Sequence, residues 1–129
     1  MIQAAAEAGY AKVIYNLALI EQEGQWVEKD LDAAFDGMMR ASRMGLIEAK
    51  AALGFMCERG LGVPRVDRVS AYAWARLART HSSVKEYDQT LQTIETALLP
   101  TERSRAESYF DTLADLVAYN LQDLRLDPQ

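Results

Sequence analysis

"GLGVPRVDRVSAYAWARLA", Gly60 to Ala78, sets two glycines, a proline and an aspartate ahead of an apolar stripe centred on Trp74. Glycines so spaced suggest either a phosphate-cradling loop or a joint between two helices. A nucleotide loop needs a strand before it and Lys-Ser/Thr after it, and Gly60-x-Gly62 has neither. The joint uses the residues better. Gly60 takes a positive φ, Pro64 stiffens the connection, Asp67 caps the next helix, and Trp74 becomes a core residue wedged between helices.

Outward from this stretch, the chain repeats itself. Gly9 is answered by Gly45, Leu17 by Leu53, Gly24 by Gly60 and Val27 by Val63, each 36 residues on. One extra residue in the second loop makes the offset 37, carrying Asp30 onto Asp67, Ala34 onto Ala71 and Ala41 onto Ala78. Each unit reads as two helices. In the first, a helix from about Tyr10 to Glu23 places Tyr10, Val13, Ile14, Leu17 and Ile20 on one stripe, the expected core face. Gly24 stops it, and Asp30 caps a second helix running to about Arg43. Gly45 offers a left-handed C-cap, and the pattern restarts with Leu46, Ala49, Leu53 and Met56.

The run "AALGFMCERGLGVPRVDRVSAYAWARLA", Ala51 to Ala78, resembles a Sel-1-like repeat. Ala49, Leu53, Gly54, Gly60, Gly62, Val63, Asp67, Ala71, Trp74 and Ala78 match the pattern of that family, with Cys57 where tyrosine is usual. The first unit is a degenerate copy: Glu21 replaces the tyrosine, Trp26 the second glycine and Gly37 the tryptophan. The resemblance covers roughly residues 5 to 82. It implies an all-α fold, an α-solenoid of antiparallel helix pairs related to tetratricopeptide repeats. It also implies binding to other proteins, often as an adaptor in bacterial signalling or envelope processes.

On this reading residues 1–9 are a partial repeat, with full repeats over about 10–45 and 46–82 and a helical pair over 83–129 capping the array, all in one structural domain. The segment "AAAEAG", residues 4–9, resembles the end of a preceding second helix. Past His81 the repeat stops, since Ser82 stands where another joining glycine is expected. Ser83-Val84-Lys85-Glu86 is a capping-box sequence opening a helix with Val84, Tyr87, Leu91, Ile94 and Leu98 as its apolar positions. Pro100 or Thr101 opens a last helix carrying Ala106, Tyr109, Phe110, Leu113, Leu116, Leu121 and Leu124. Repeat arrays need ends with one polar face, and the long last helix also offers a route to self-association.

Composition agrees with helix. Half of the 129 residues are apolar, Val, Ile and Thr are sparse, and only three prolines interrupt the chain. The net charge of −5 argues against general nucleic-acid binding, which needs Lys and Arg against phosphates. Its distribution is uneven. Residues 1–36 hold seven acids and two bases, residues 37–79 three acids and eight bases, and residues 80–129 nine acids and four bases. The basic middle keeps a nucleic-acid contact open as a lesser alternative. The N-terminal apolar stretch has no basic run before it and is broken by Glu7, Lys12 and Asn16, so neither signal peptide nor membrane span is expected. As written the sequence suits the cytoplasm; the periplasm becomes the expectation if an upstream part bearing a signal peptide has been removed.

Chemistry finds little purchase. Cys57, the only cysteine, lies on the Leu53–Met56 stripe, and His81 at a helix end, so the pair reads as structural rather than as nucleophile and base. A few members of the resembled family have been credited with hydrolase activity, yet nothing here assembles nucleophile, base and oxyanion donors. No cofactor or metal set is expected, a lone His being a poor ligand set. The functional residues sought instead lie opposite the expected core stripe. At roughly 100° per residue, Tyr15 and Leu19 stand about 160° from Leu17, and Ala51 and Phe55 hold the same angle to Leu53. Two apolar sides suit a solenoid helix that packs against neighbours both before and behind; the functional alternative is a groove of Tyr15, Leu19 and Phe55 with Arg59 at the edge, suited to an acidic peptide, with Gly45, Gly60, Gly62, Asp67 and Trp74 as structural residues.

Overall fold

The computed structural model describes residues 2–125, with side-chain surroundings over residues 8–117. Six α-helices follow one another: α1 (Ile2–Glu23), α2 (Leu31–Arg43), α3 (Ile47–Arg59), α4 (Arg68–His81), α5 (Lys85–Ala97) and α6 (Pro100–Arg125). Helices α1/α2 and α3/α4 form the two pairs, α2 hands over to α3, and α4 carries both α5 and α6. The fold is all-α, as expected.

The two units share their joints at the level of single bonds. Asp30 Oδ1 accepts the Ala33 amide at 3.0 Å, and Asp67 Oδ1 accepts the Ser70 amide at 3.0 Å. The capping aspartate then ties back to the preceding helix, Asp30 N–H donating to the Glu21 carbonyl and Asp67 N–H to the Cys57 carbonyl, both at 2.9 Å. The extra residue of the second loop therefore bulges without changing register. Gly60 ends α3 in the left-handed region, φ 70°, and Gly45 closes α2 at φ 94°. With Leu46 N–H donating to the Ala41 carbonyl and Gly45 N–H to the Ser42 carbonyl, that closure is a Schellman cap.

Small residues set the helix spacing. A Cβ on Gly54 would stand 3.2 Å from the Ala75 amide nitrogen and 3.3 Å from the Ala71 carbonyl oxygen, so α3 and α4 meet nearly backbone to backbone. Trp74 is buried next to this contact. In the first pair the equivalent positions are Ala18 and Gly37, and a Cβ on Gly37 would come within 3.0 Å of Ala18 Cβ. The helices have closed over the space a tryptophan would fill, which is why Gly37 occupies the tryptophan position there.

Several details differ from the sequence reading. Helix α1 starts at Ile2 and passes through Gly9 instead of beginning at Tyr10. Its core contacts are Ala11, Ile14 and Ala18, while Tyr10, Val13 and Leu17 are each more than half exposed. The stripe chosen from periodicity is a second apolar face, because alanines rather than bulky residues let α1 approach α2. In α3 the equivalent Ala49, Leu53 and Met56 are buried by the preceding pair. Ser83 does not cap α5; Val84 precedes that helix and Ser82 Oγ accepts the Val84 amide at 3.3 Å. Pro100 opens α6, where Glu102 reaches back to the Leu99 amide at 2.9 Å. The expected apolar positions Leu121 and Leu124 lie outside the described side chains.

The second loop glycine is the sharpest steric requirement. Gly62 has φ 75°, and a Cβ there would meet the Leu31 carbonyl oxygen at 2.7 Å and Phe35 Cβ at 2.8 Å. Its counterpart Trp26 takes the same left-handed conformation, φ 64°, with 86% of its surface exposed. Gly62→Ala is expected to lose roughly 2–4 kcal/mol in urea unfolding, from backbone strain and overpacking together. Trp26→Gly is expected to gain about 0.5–1 kcal/mol, since strain relief exceeds the added unfolded-state entropy. Equal effects from both substitutions would contradict this reading of the joint.

Candidate protein-binding face

Helix α3 presents Glu48, Ala51, Phe55 and Arg59 along one outer line. Glu48 sits in the first turn and pairs with Lys12 of α1, Nζ to Oε2 at 3.1 Å. Its carboxyl is held below the usual range by its own backbone amide first and by the Lys12 ammonium second. Phe55 is 38% exposed, and the Arg59 guanidinium lies 4.9 Å from its ring centroid, a cation–π contact. The guanidinium is otherwise only loosely engaged, 3.9 Å from Glu58 Oε1.

Tyrosines flank this line. Tyr15 of α1 and Tyr87 of α5 are half-buried, and both hydroxyls are pushed up in pKa, by burial first and by the Glu48 charge second. Ala51, Phe55, Glu86, Tyr87 and Thr90 surround a depression of about 140 Å³ floored by α4. Of the residues singled out from sequence, Phe55 and Arg59 lie along the surface of α3, while Tyr15 packs half-buried against the core. Leu19 is half-buried against the core. Glu48 and Tyr87 were missed; Tyr87 read as one apolar position among five, and only the pairing of α5 with α4 brings it beside Phe55.

The basic middle third is partly consumed internally. Arg76 stacks over the Phe110 ring at 4.1 Å and donates to the Tyr72 hydroxyl at 3.1 Å, while Arg79 pairs with Asp88 at 3.0 Å. A second apolar groove, about 260 Å³, runs between α2, α4 and α6, lined by Met39, Arg43, Trp74, Leu113, Leu116 and Val117. Among the described residues no three His, Cys, Asp or Glu side chains are grouped to hold a metal, and no helix is long and apolar enough to cross a membrane.

The family model described as Sel1 repeat matches residues 11–36 and 47–82. The chain is a Sel1-repeat protein. It is also similar to a crystal structure of a protective antigen present in uropathogenic Escherichia coli strains, which displays an SLR fold. The match has a TM-score of 0.78 and 27% identity, and covers 92% of this chain but 26% of that one. The chain thus spans about a quarter of the length of that protein. No curated protein matches it. Sel1 repeats are generally protein–protein interaction modules.

Within the second Sel1 repeat, two polar groups are buried that the sequence reading left out or treated as ordinary. Lys50 is 2% exposed, at the position Ile14 fills in the first repeat, and its ammonium donates to the Ser42 carbonyl at 3.2 Å. That carbonyl lies at the C-terminus of α2, where a cation complements the helix dipole. Lysine among the apolar positions at helical spacing is the signal that could have revealed it. Burial lowers its pKa. Cys57 is buried and its thiol is pushed up to about 12, by desolvation first and by the Asp67 charge second.

Both groups give measurable consequences. The unfolded chain holds the Lys50 proton more tightly than the folded one, so the Lys50 contribution to stability rises with pH from its lowered pKa towards 10.5. The stability of the parent relative to Lys50→Met is therefore expected to climb as alkaline pH is approached; subtracting the variant cancels Cys57 and the tyrosines, whose raised pKa values act in the opposite direction. A flat difference would show an ordinary lysine. For Cys57, a thiol near 12 rather than 9.0 cuts the thiolate fraction at neutral pH by roughly a thousandfold. Native alkylation by iodoacetamide is expected to proceed only as fast as the chain opens, and rapid labelling without unfolding would refute the burial.

Proposed function

We propose that this chain is a binding module that takes a segment of a partner protein along the face formed by α1, α3 and α5. The observation that carries the proposal is Phe55, an exposed aromatic with Arg59 stacked on it and Tyr87 beside it across the depression. Aromatic and arginine side chains dominate the energetics of protein interfaces. Here Arg59 is already held over a ring, so less conformational freedom is lost when it meets a carboxylate.

The preference for acidic segments belongs to the Arg59 end alone. At the other end Lys12 and Glu48 neutralise each other, and Glu86 adds an acid beside Tyr87. A fitting segment carries its acid next to an apolar residue that enters the depression by Phe55. Binding and release are the whole of the mechanism, with no reacting group among the residues of this face.

The experiment compares affinity capture from host lysate by the parent and by Phe55→Ala/Arg59→Glu, with circular dichroism confirming equal helicity. Loss of both hot-spot side chains is expected to weaken a specific partner by at least about 2 kcal/mol, enough to remove it from the captured set. Identical capture by both proteins would refute the site.

A further inference from the structure

Helix α1 has a second apolar surface that the binding face does not use. Tyr10, Val13 and Leu17 are spaced three and four apart and continue to Ile20, the a/d pattern of a helix–helix seam. All three are more than half exposed, and Val27 and Trp26 extend the patch into the following loop. At about 100° per residue this seam stands about 120° from the Ala11–Ala18 core face. One repeat later the same positions are Leu46, Ala49 and Leu53, of which Ala49 and Leu53 are fully buried on the helix that α2 packs against. The seam is thus built to be covered by helices.

Trp26 decides what covers it. Its counterpart Gly62 lies so close to α2 that a Cβ would meet the Leu31 carbonyl oxygen at 2.7 Å. A helix stacked on α1 in the way α2 stacks on α3 would drive its backbone into the Cβ of Trp26. A repeat in register is therefore barred. The flanks are mainly acidic: Glu21 lies beside the seam, Glu23 beyond its other edge and Glu28 next to Val27, against Lys29 beside Gly24, while Lys12 of α1 is engaged with Glu48 elsewhere on the helix. Glu21 and Glu23 would repel the same residues of a second copy laid parallel on the seam. The geometry points to a separate amphipathic helix, apolar at a/d spacing and flanked by Lys or Arg, as the occupant. It docks on α1 by the helix-in-groove mode, at a site distinct from the Phe55 face.

The probe is a synthetic three-heptad helix with Leu at a and d and Lys at e and g, titrated calorimetrically into the intact chain, with a control peptide bearing Glu at e and g. Binding of the Lys peptide is expected, weakened at least tenfold by Leu17→Glu and by added salt, and unchanged by Phe55→Ala, which keeps this surface separate from the proposed binding face. Val13→Ser repeats the reading with a milder change should Leu17→Glu disturb the helix. No binding of the Lys peptide, equal binding of both peptides, or indifference to the seam variants would overturn the proposal. So would sedimentation of the parent as a dimer that Leu17→Glu dissociates, since the occupant would then be a second copy.

Discussion

Everything beyond the first helix pair depends on how closely α3 approaches α4. With no side chain at Gly54, the two backbones meet across Ala71 and Ala75, and α4 becomes a central post buried on almost every side. Packing at that density leaves no slack, so the orientation of α4 fixes what attaches to it. Trp74 fills the space beside the contact, while Arg76 reaches outward to the rings of Tyr72 and Phe110 and fastens α6. Arg103 of α6 returns to Glu95 of α5 at 3.3 Å, closing the C-terminal pair onto the same post. The first pair has the opposite solution, with its glycine on α2 at Gly37 and no tryptophan.

The fold was legible because its signals are local. Asp30 and Asp67, the glycines that end helices and the repeat offset each state a backbone requirement that only a few residue types satisfy, and the aspartate bonds, Asp30 to Glu21 and Ala33 and Asp67 to Cys57 and Ser70, recur at both joints. Which face of α1 is buried was not legible. Periodicity ranks faces by bulk, and Tyr10, Val13 and Leu17 outweigh Ala11 and Ala18; the core chose the alanines because they let α2 come near. Ser83 misled for a related reason. The Ser-x-x-Glu spacing names a cap, but the helix begins one residue later, with Val84 at its N-cap and no side chain capping it, while Ser82 accepts the Val84 amide in the turn before it.

The candidate face was half legible. Phe55 and Arg59 are one helical turn apart, so their association follows from sequence alone. Tyr87 arrives from a different element, and its place beside Phe55 is a tertiary fact with no sequence spacing to announce it. Lys50 illustrates the converse case. Its position is buried in both repeats, at Ile14 and at Lys50, and a lysine is accommodated there because the Ser42 carbonyl near the end of α2 accepts a hydrogen bond from its ammonium.

Differences between the two repeats carry more information than their agreement. Agreement at Gly24 and Gly60, or at Asp30 and Asp67, is what any stack of helix pairs requires. Where the copies diverge, the same backbone position has been put to another use: Leu19 packs against the core where Phe55 turns to solvent, Glu23 is acidic where Arg59 is basic, and Trp26 stands exposed where Gly62 lies against α2. The odd-numbered helices therefore present a surface that changes sign along its length. On the proposed binding reading, a partner lying across it would meet an acid near the end of α1 and a guanidinium near the end of α3, and opposite charges at the two ends would set the direction of a charged segment.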